Sequence, residues 1–132
     1  MAVTQYDSKN VNITVGGVYL TGFAEDTMVS FEKMEDNSTY SVGAQGDVVQ
    51  NIVNNPLGEI TVTLAQTSPQ VPYLNELANK GTQVEVWVNN KNTNGTIVGG
   101  SVCVINKPAG GEYGAEVGVR EYVITALDYT EK

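Results

Sequence analysis

The segment Glu59-Ile60-Thr61-Val62-Thr63-Leu64 alternates polar and apolar residues without a break. A period of two commits a chain to strands, because successive side chains on extended backbone leave opposite faces. Ile60, Val62 and Leu64 should face a core, and Glu59, Thr61 and Thr63 the opposite side. The pattern recurs along the chain. Val11, Ile13 and Val15 alternate with Asn10, Asn12 and Thr14, and Gly16-Gly17 leads into residues 18–21. This predicts a tight hairpin, since both central turn residues can take positive φ. Residues 28–33 read as a third strand with Val29 and Phe31 inward. Residues 83–89 read as another, with Val84, Val86 and Val88 inward and Trp87 beside Glu85 on the other face. Asn94-Gly95 is a turn signal, and Gly99-Gly100 marks a bulge before residues 101–105. Residues 119–129 read as one long last strand, with Val119, Val123 and Leu127 on one face and Tyr122, Ile124 and Ala126 on the other. Two partly apolar faces suit a central strand or one covered by a partner.

Two segments break the rhythm. Ser68-Pro69 is a helix start signal, Val71, Leu74, Leu77 and Ala78 repeat at helical spacing, and Lys80 and Gly81 mark an end. The helix should begin at Val71 or Pro72. At about ten residues it is too short to persist alone, so its apolar stripe must rest on the sheet. The second exception is residues 39–58. Strands at 39–43 and 47–53 flank Ala44-Gln45-Gly46, but they are polar and are weakened by Gly43 and Gly46. They bury little by themselves and read as a hairpin arm projecting from the body, closed by Asn54-Asn55-Pro56-Leu57-Gly58. Residues 106–118, with four glycines and Pro108, read as a loop. About eight strands and one helix in 132 residues, with no repeat and no linker, predict a single all-β domain over residues 1–132. Its expected architecture is a mainly antiparallel β-sandwich or small barrel with one short flanking α-helix.

Composition removes most chemistry. The chain has no histidine, which excludes imidazole acid–base catalysis, Ser-His-Asp triads and imidazole metal sites. Its one cysteine, Cys103, allows no internal disulfide and no multi-thiolate zinc site. Lying between Val102 and Val104 with no cation in view, it reads as a small buried hydrophobe. Glu25-Asp26 and Glu35-Asp36 are sequence neighbours that point apart on a strand and lack calcium-loop spacing, so they read as solvated turn charge. An acid-pair hydrolase would need two carboxylates converging in a cleft. Gly43-Ala44-Gln45-Gly46 has no basic flank, and Gly110-Gly111 with Gly114 and Gly118 does not open a helix, so neither reads as a phosphate or nucleic-acid loop. A net charge of −8 argues against wrapping DNA through its phosphates. Trp87 is the best candidate for stacking a sugar or base, and it fits equally under the helix or a neighbouring subunit. No catalytic, cofactor-binding or metal-binding residue is expected. Residues 1–7 show no basic or strongly apolar stretch, so no secretory signal is expected, and the sequons at Asn12, Asn37 and Asn94 read as accidents of composition. The longest apolar run, residues 102–105, is far short of a membrane span.

Several runs in order resemble a known family. They are Tyr6-Asp7-Ser8-Lys9-Asn10-Val11, Gly22-Phe23-Ala24-Glu25-Asp26-Thr27, Val42-Gly43-Ala44-Gln45-Gly46-Asp47-Val48, Asn54 through Leu64, and Gln66-Thr67-Ser68-Pro69 before the helix. From Tyr6 to about Gly81 the chain is similar to the tail tube proteins of tailed phages, in the branch best known from contractile tails. The resemblance implies a tail-tube-like subunit without catalysis. It implies hexameric rings stacked into a hollow tube, four strands of each subunit joining a continuous inner barrel. The arm would then contact neighbouring subunits through Tyr40, Val42, Gly43, Gly46, Asp47, Val49 and Ile52. Related members carry more bases there, and Gln50, Asn51 and Ile52 depart from that pattern. Asn12, Glu59, Thr61 and Thr63 are candidates to face the lumen, although outward placement fits their pattern as well. An acidic bore would repel DNA phosphates and let the genome pass without sticking. The implied partners are copies of the chain, the tail sheath, the baseplate or tail initiator, and the tape measure and tail terminator proteins, with no membrane. The implied location is the virion tail, assembled in the host bacterial cytoplasm. Two alternatives stay open: the inner tube of a tail-like bacteriocin or contractile injection particle, and a non-catalytic carbohydrate-binding β-sandwich.

Overall fold

The computed structural model describes residues 3–132, so the reading of the amino terminus at Met1 and Ala2 lies outside it. The described strands are β1 (Val11–Val15), β2 (Val18–Tyr19), β3 (Val29–Lys33), β4 (Ser38–Val42), β5 (Val48–Ile52), β6 (Gly58–Ala65), β7 (Val84–Asn90), β8 (Ile97–Ile105), β9 (Val119–Ala126) and β10 (Thr130–Glu131). One helix, α1 (Val71–Lys80), separates β6 from β7. All pairings are antiparallel. The main sheet runs β2-β1-β7-β8-β9-β6-β3, with β10 also on β8, while β4 and β5 form a separate two-stranded sheet.

The period-two segments do what local physics demands. Ile60, Val62 and Leu64 are wholly buried, as are Ile13, Val15, Val86, Tyr122, Ile124 and Ala126. Gly16 and Gly17 take φ of 58° and 83°, the doubly positive turn that matches strand twist. Residues from both halves of the sheet join one core, so the sheet curls around a shared apolar interior. The helix closes that interior. Val71 and Leu74 are buried, the Tyr73 hydroxyl donates to the Val15 carbonyl at 3.1 Å, and the Tyr122 hydroxyl donates to Asn75 Oδ1 at 2.7 Å. Two tyrosines thus tie one helix to β1 and to β9. At the far end Gly58 admits the Tyr129 ring, which occupies the space where a Cβ would stand.

Four expectations shift. The last strand stops at Ala126 instead of continuing to Tyr129, because the Asp128 carboxylate turns the chain by accepting from the backbone of Ser101 (3.1 Å) and Val102 (3.0 Å) and from the Ser101 hydroxyl. These bonds, the Ser101 hydroxyl first, hold its carboxyl below the usual range. Residues 97–105 form one strand through the two glycines, and the predicted bulge is a register shift opposite Val84 and Val86. Phe31 shares the core face through its pairing with Ile60 yet stays 40% exposed, because β3 is the last strand of the sheet. Gly58 belongs to β6 and not to the preceding arm.

Candidate assembly surfaces

The register sorts the sheet into two faces. Opposite the core face lies a half-exposed polar one. On β6 it carries Glu59, Thr61 and Thr63, paired with Thr125, Val123 and Glu121 of β9 and, for Glu59 and Thr61, with Glu32 and Ser30 of β3. On β1 it carries Asn12 and Thr14, paired with Asn89 and Trp87 of β7. The four residues singled out from sequence, Asn12, Glu59, Thr61 and Thr63, therefore share one face of one continuous sheet. That face is acidic over β3, β6 and β9, with Glu32 directly opposite Glu59 and Glu121 opposite Thr63. Like charges across a strand pair destabilise. Trp87 lies on this polar face and not beneath α1, which packs on the other side. With Tyr19, Asn12, Asn89 and Lys132 it lines a cleft of about 460 Å³.

The sheet is open at β3. The Met28 carbonyl accepts from Thr63 at 3.0 Å and Met34 N–H donates to Leu57 at 3.1 Å, so Met28 and Met34 bond toward β6. Strict alternation then turns the backbone groups of Val29, Phe31 and Lys33 away from it. An edge of this kind is a template for another strand.

The arm is the second surface. Its register pairs Ser38 with Ile52, Tyr40 with Gln50, and Val42 with Val48 on one face, and Thr39 with Asn51 and Ser41 with Val49 on the other. Tyr40, Val42 and Ile52, singled out from sequence, thus come together, and Val48 joins them. All four are 64% exposed or more. Val49 does not join them. Gly43 and Asp47 build the turn: Gly43 N–H donates to the Asp47 carbonyl at 2.7 Å, and Gly46 N–H to the Gly43 carbonyl at 3.0 Å, with Gly46 at φ 93°. Polar ladders brace the hairpin, Gln50 Nε2 donating to Ser38 Oγ at 2.9 Å and Asn51 Nδ2 to Ser41 Oγ at 3.0 Å. Sequence reasoning missed Val48; only the hairpin register, set by the turn over residues 43–47, reveals which face it takes.

A third surface lies at the other end of β6. Residues 23–27 and 116–119 flank Thr63 and Ala65 in a cleft of about 710 Å³. Backbone bonds fix both walls: Ala65 N–H to Gly22, Ala24 N–H to Thr63, and Gln66 N–H to Gly118. Arg120 braces the loop behind them, its Nε donating to Gln66 Oε1 at 2.7 Å and its Nη1 to the Ala109 carbonyl at 2.9 Å. Phe23, Val117 and Val119 supply apolar wall, and Glu25, Asp26 and Glu116 its rim. Nothing in the sequence periodicity marks this cleft, because it forms from loops 90 residues apart.

Cys103 is fully buried, and burial pushes its thiol up to about 11 from 9.0. Among the described residues no three acidic or thiol side chains converge as a metal site, and no helix is long and apolar enough to cross a membrane.

The geometry has relatives. The family model of the bacteriophage PhiTE tail tube protein matches residues 4–128. No curated protein matches the chain. Among solved structures, the chain superposes on one from the cap of the anti-feeding prophage, its tube-terminating cap, at TM-score 0.72 and 13% identity, covering 100% of this chain and 94% of that one. It matches one from the sheath–tube complex of the PVC extracellular contractile injection system in its extended state at TM-score 0.67 and 12% identity, covering 97% and 91%. It matches one from the sheath/tube terminator of the same system at TM-score 0.74 and 12% identity, covering 100% and 99%. At these identities the structures establish the fold, and the family match over residues 4–128 establishes kinship: the chain belongs to the phage tail tube protein family.

Proposed function

We propose that the protein is the structural subunit of a phage tail tube, assembling into stacked hexameric rings whose bore conducts DNA and carrying out no catalysis. The observation that carries the reading is the arm, which exposes Tyr40, Val42, Val48 and Ile52 on a hairpin that has no core of its own. A monomer has no use for such a strip, and a neighbouring copy supplies its missing cover. The open edge of β3 adds a means of ring closure, pairing with the opposite edge of the next subunit's sheet. The acidic polar face, with Asn12, Glu59, Thr61 and Thr63, lines the bore and repels phosphate. Sheath, initiator, tape measure and terminator proteins are the expected partners, in a virion tail assembled in the host cytoplasm.

Electron microscopy of the purified protein tests this. Hollow tubes or six-fold rings are expected. Replacing residues 36–54 by a short glycine-serine turn should leave circular dichroism intact and abolish them. Normal tubes from that deletion would sink the arm's role. The likeness to contractile injection systems favours a second reading, the inner tube of a tail-like particle that carries no genome. Nuclease-protected DNA in purified native particles separates the two. No such specific observation favours a carbohydrate-binding module.

A further inference from the structure

Beyond Ala126, residues 127–132 run as a strap between two strands. Ala126 itself pairs with Gly58 of β6 and with Cys103 of β8, and the strap reaches both neighbours. Asp128 goes to β8, where its carboxylate accepts from Ser101 and Val102. It lies in a gap left by Gly100, where a Cβ would collide with Asp128 Oδ1. Tyr129 goes the other way. Its ring fills the space that Gly58 leaves, and its N–H donates to the Pro56 carbonyl at 3.0 Å. β10 then holds the strap to β8, with Thr130 against Gly99 and Glu131 against Val98. Ile97 and Lys132 exchange N–H···O bonds of 2.9 Å. Two successive side chains of the strap thus sit on two glycines of different strands.

The Tyr129 contact falls where the arm leaves the sheet. The limb of the arm that leads into β6 is stiff in itself. Pro56 has a fixed φ, and Asn55 Oδ1 accepts from Leu57 N–H at 3.0 Å. Met34 N–H joins Leu57 to the other limb, a bond between the two limbs themselves. That other limb continues β3, the last strand of the sheet. Support from a third strand reaches the root through Tyr129.

We infer that residues 127–132 are a latch that fixes the direction in which the arm leaves the sheet, with the Tyr129 ring on Gly58 as its key and the Asp128 carboxylate on β8 as its anchor. The anchor consists of charge-assisted hydrogen bonds, stronger than neutral ones. The key is a fit of shape that any side chain at position 58 would spoil. Because the limb between Asn55 and Gly58 is stiff, holding its base also aims what extends from it. A latched arm presents Tyr40, Val42, Val48 and Ile52 at one angle. The entropy of ordering it is then lost when the chain folds and not when a partner arrives. The inference concerns the single subunit and stands apart from the tube reading.

Spin labels at Val49→Cys on the arm and Glu121→Cys on β9, both exposed positions, measure the spread of arm positions in the dilute, unassembled protein. Cys103 is buried and does not compete for label. The intact latch should give one narrow distance distribution. Tyr129→Ala and Gly58→Ala should each broaden it severalfold, whereas Tyr129→Phe, which keeps the ring, should leave it narrow. Gly58→Ala should add nothing in the Tyr129→Ala background, since the new methyl group then has no ring to displace. Asp128→Asn, which exchanges one acceptor oxygen for a donor facing β8, should broaden the distribution by the second route. A Tyr129→Ala distribution as narrow as the parent's, at unchanged circular dichroism, would overturn the latch. So would unfolding of Tyr129→Ala and Gly58→Ala alike, because the strap would then be part of the core on which the whole fold depends.

Discussion

Glu59 and Glu32 face each other across β6 and β3 at a directly opposed position of the register. Two carboxylates so placed repel, and a sheet selected for stability alone would not keep them. Glu59→Gln should therefore raise stability by about 0.2–1 kcal/mol, read as a higher urea midpoint at unchanged slope, with the gain shrinking at high salt. Loss of stability would show that the carboxylate makes a favourable contact instead. Cys103 gives a pH signature. Its folded thiol, at about 11, lies above the ordinary 9.0, so the unfolded chain loses its proton first as pH rises. Its contribution is complete below about pH 9 and fades between pH 9 and 11. Burial also raises Tyr122 and Tyr129, which lose stability in the same direction. Cys103→Ala should flatten the decline of the urea midpoint over pH 9–11 without removing it. An unchanged slope would place the alkaline sensitivity in the tyrosines alone.

At the scale of elements, the arm is the least supported piece. Its strands are exposed along nearly their whole length, and its root is pinned by few bonds, among them Val53 N–H to Asn37 at 2.9 Å. Local opening is cheapest where so little is buried. Limited proteolysis of the unassembled protein should cut first within residues 43–47, and assembly should protect them; cutting elsewhere first would mean the arm is held by contacts other than its ladder. The elements also show what a sequence reveals. Strand β6 was legible because period two is a local property, and α1 because its start and stop residues are adjacent in sequence. The break after Ala126 was not, since it depends on Asp128 reaching backbone groups 26 and 27 residues away. The apolar face of the arm was half legible. Tyr40, Val42 and Ile52 stand out as exposed hydrophobics, but Val48 and Val49 are adjacent, and only cross-strand pairing decides which one belongs with them.

For the whole molecule, charge is the governing quantity. At −8 the chain repels phosphate, and the acidic face over β3, β6 and β9 concentrates that repulsion. If this face lines the bore, Glu59→Lys tubes should retain DNA on a filter at low salt where wild-type tubes do not, and release it as salt rises. Equal behaviour of the two would turn the face outward. The cleft marks the limit of sequence reading at this scale, for its walls meet only after the sheet has brought residues 23–27 beside 116–119. Finally, because the arm leaves the sheet at the Gly58 end of β6 and the loops of residues 23–27 and 116–119 crowd the Ala65 end, one subunit has two unlike poles along its strands. Were copies stacked along that direction, the two tips of the stack would display different surfaces, and the proteins that start and stop its growth would have to be built on unlike chemistry.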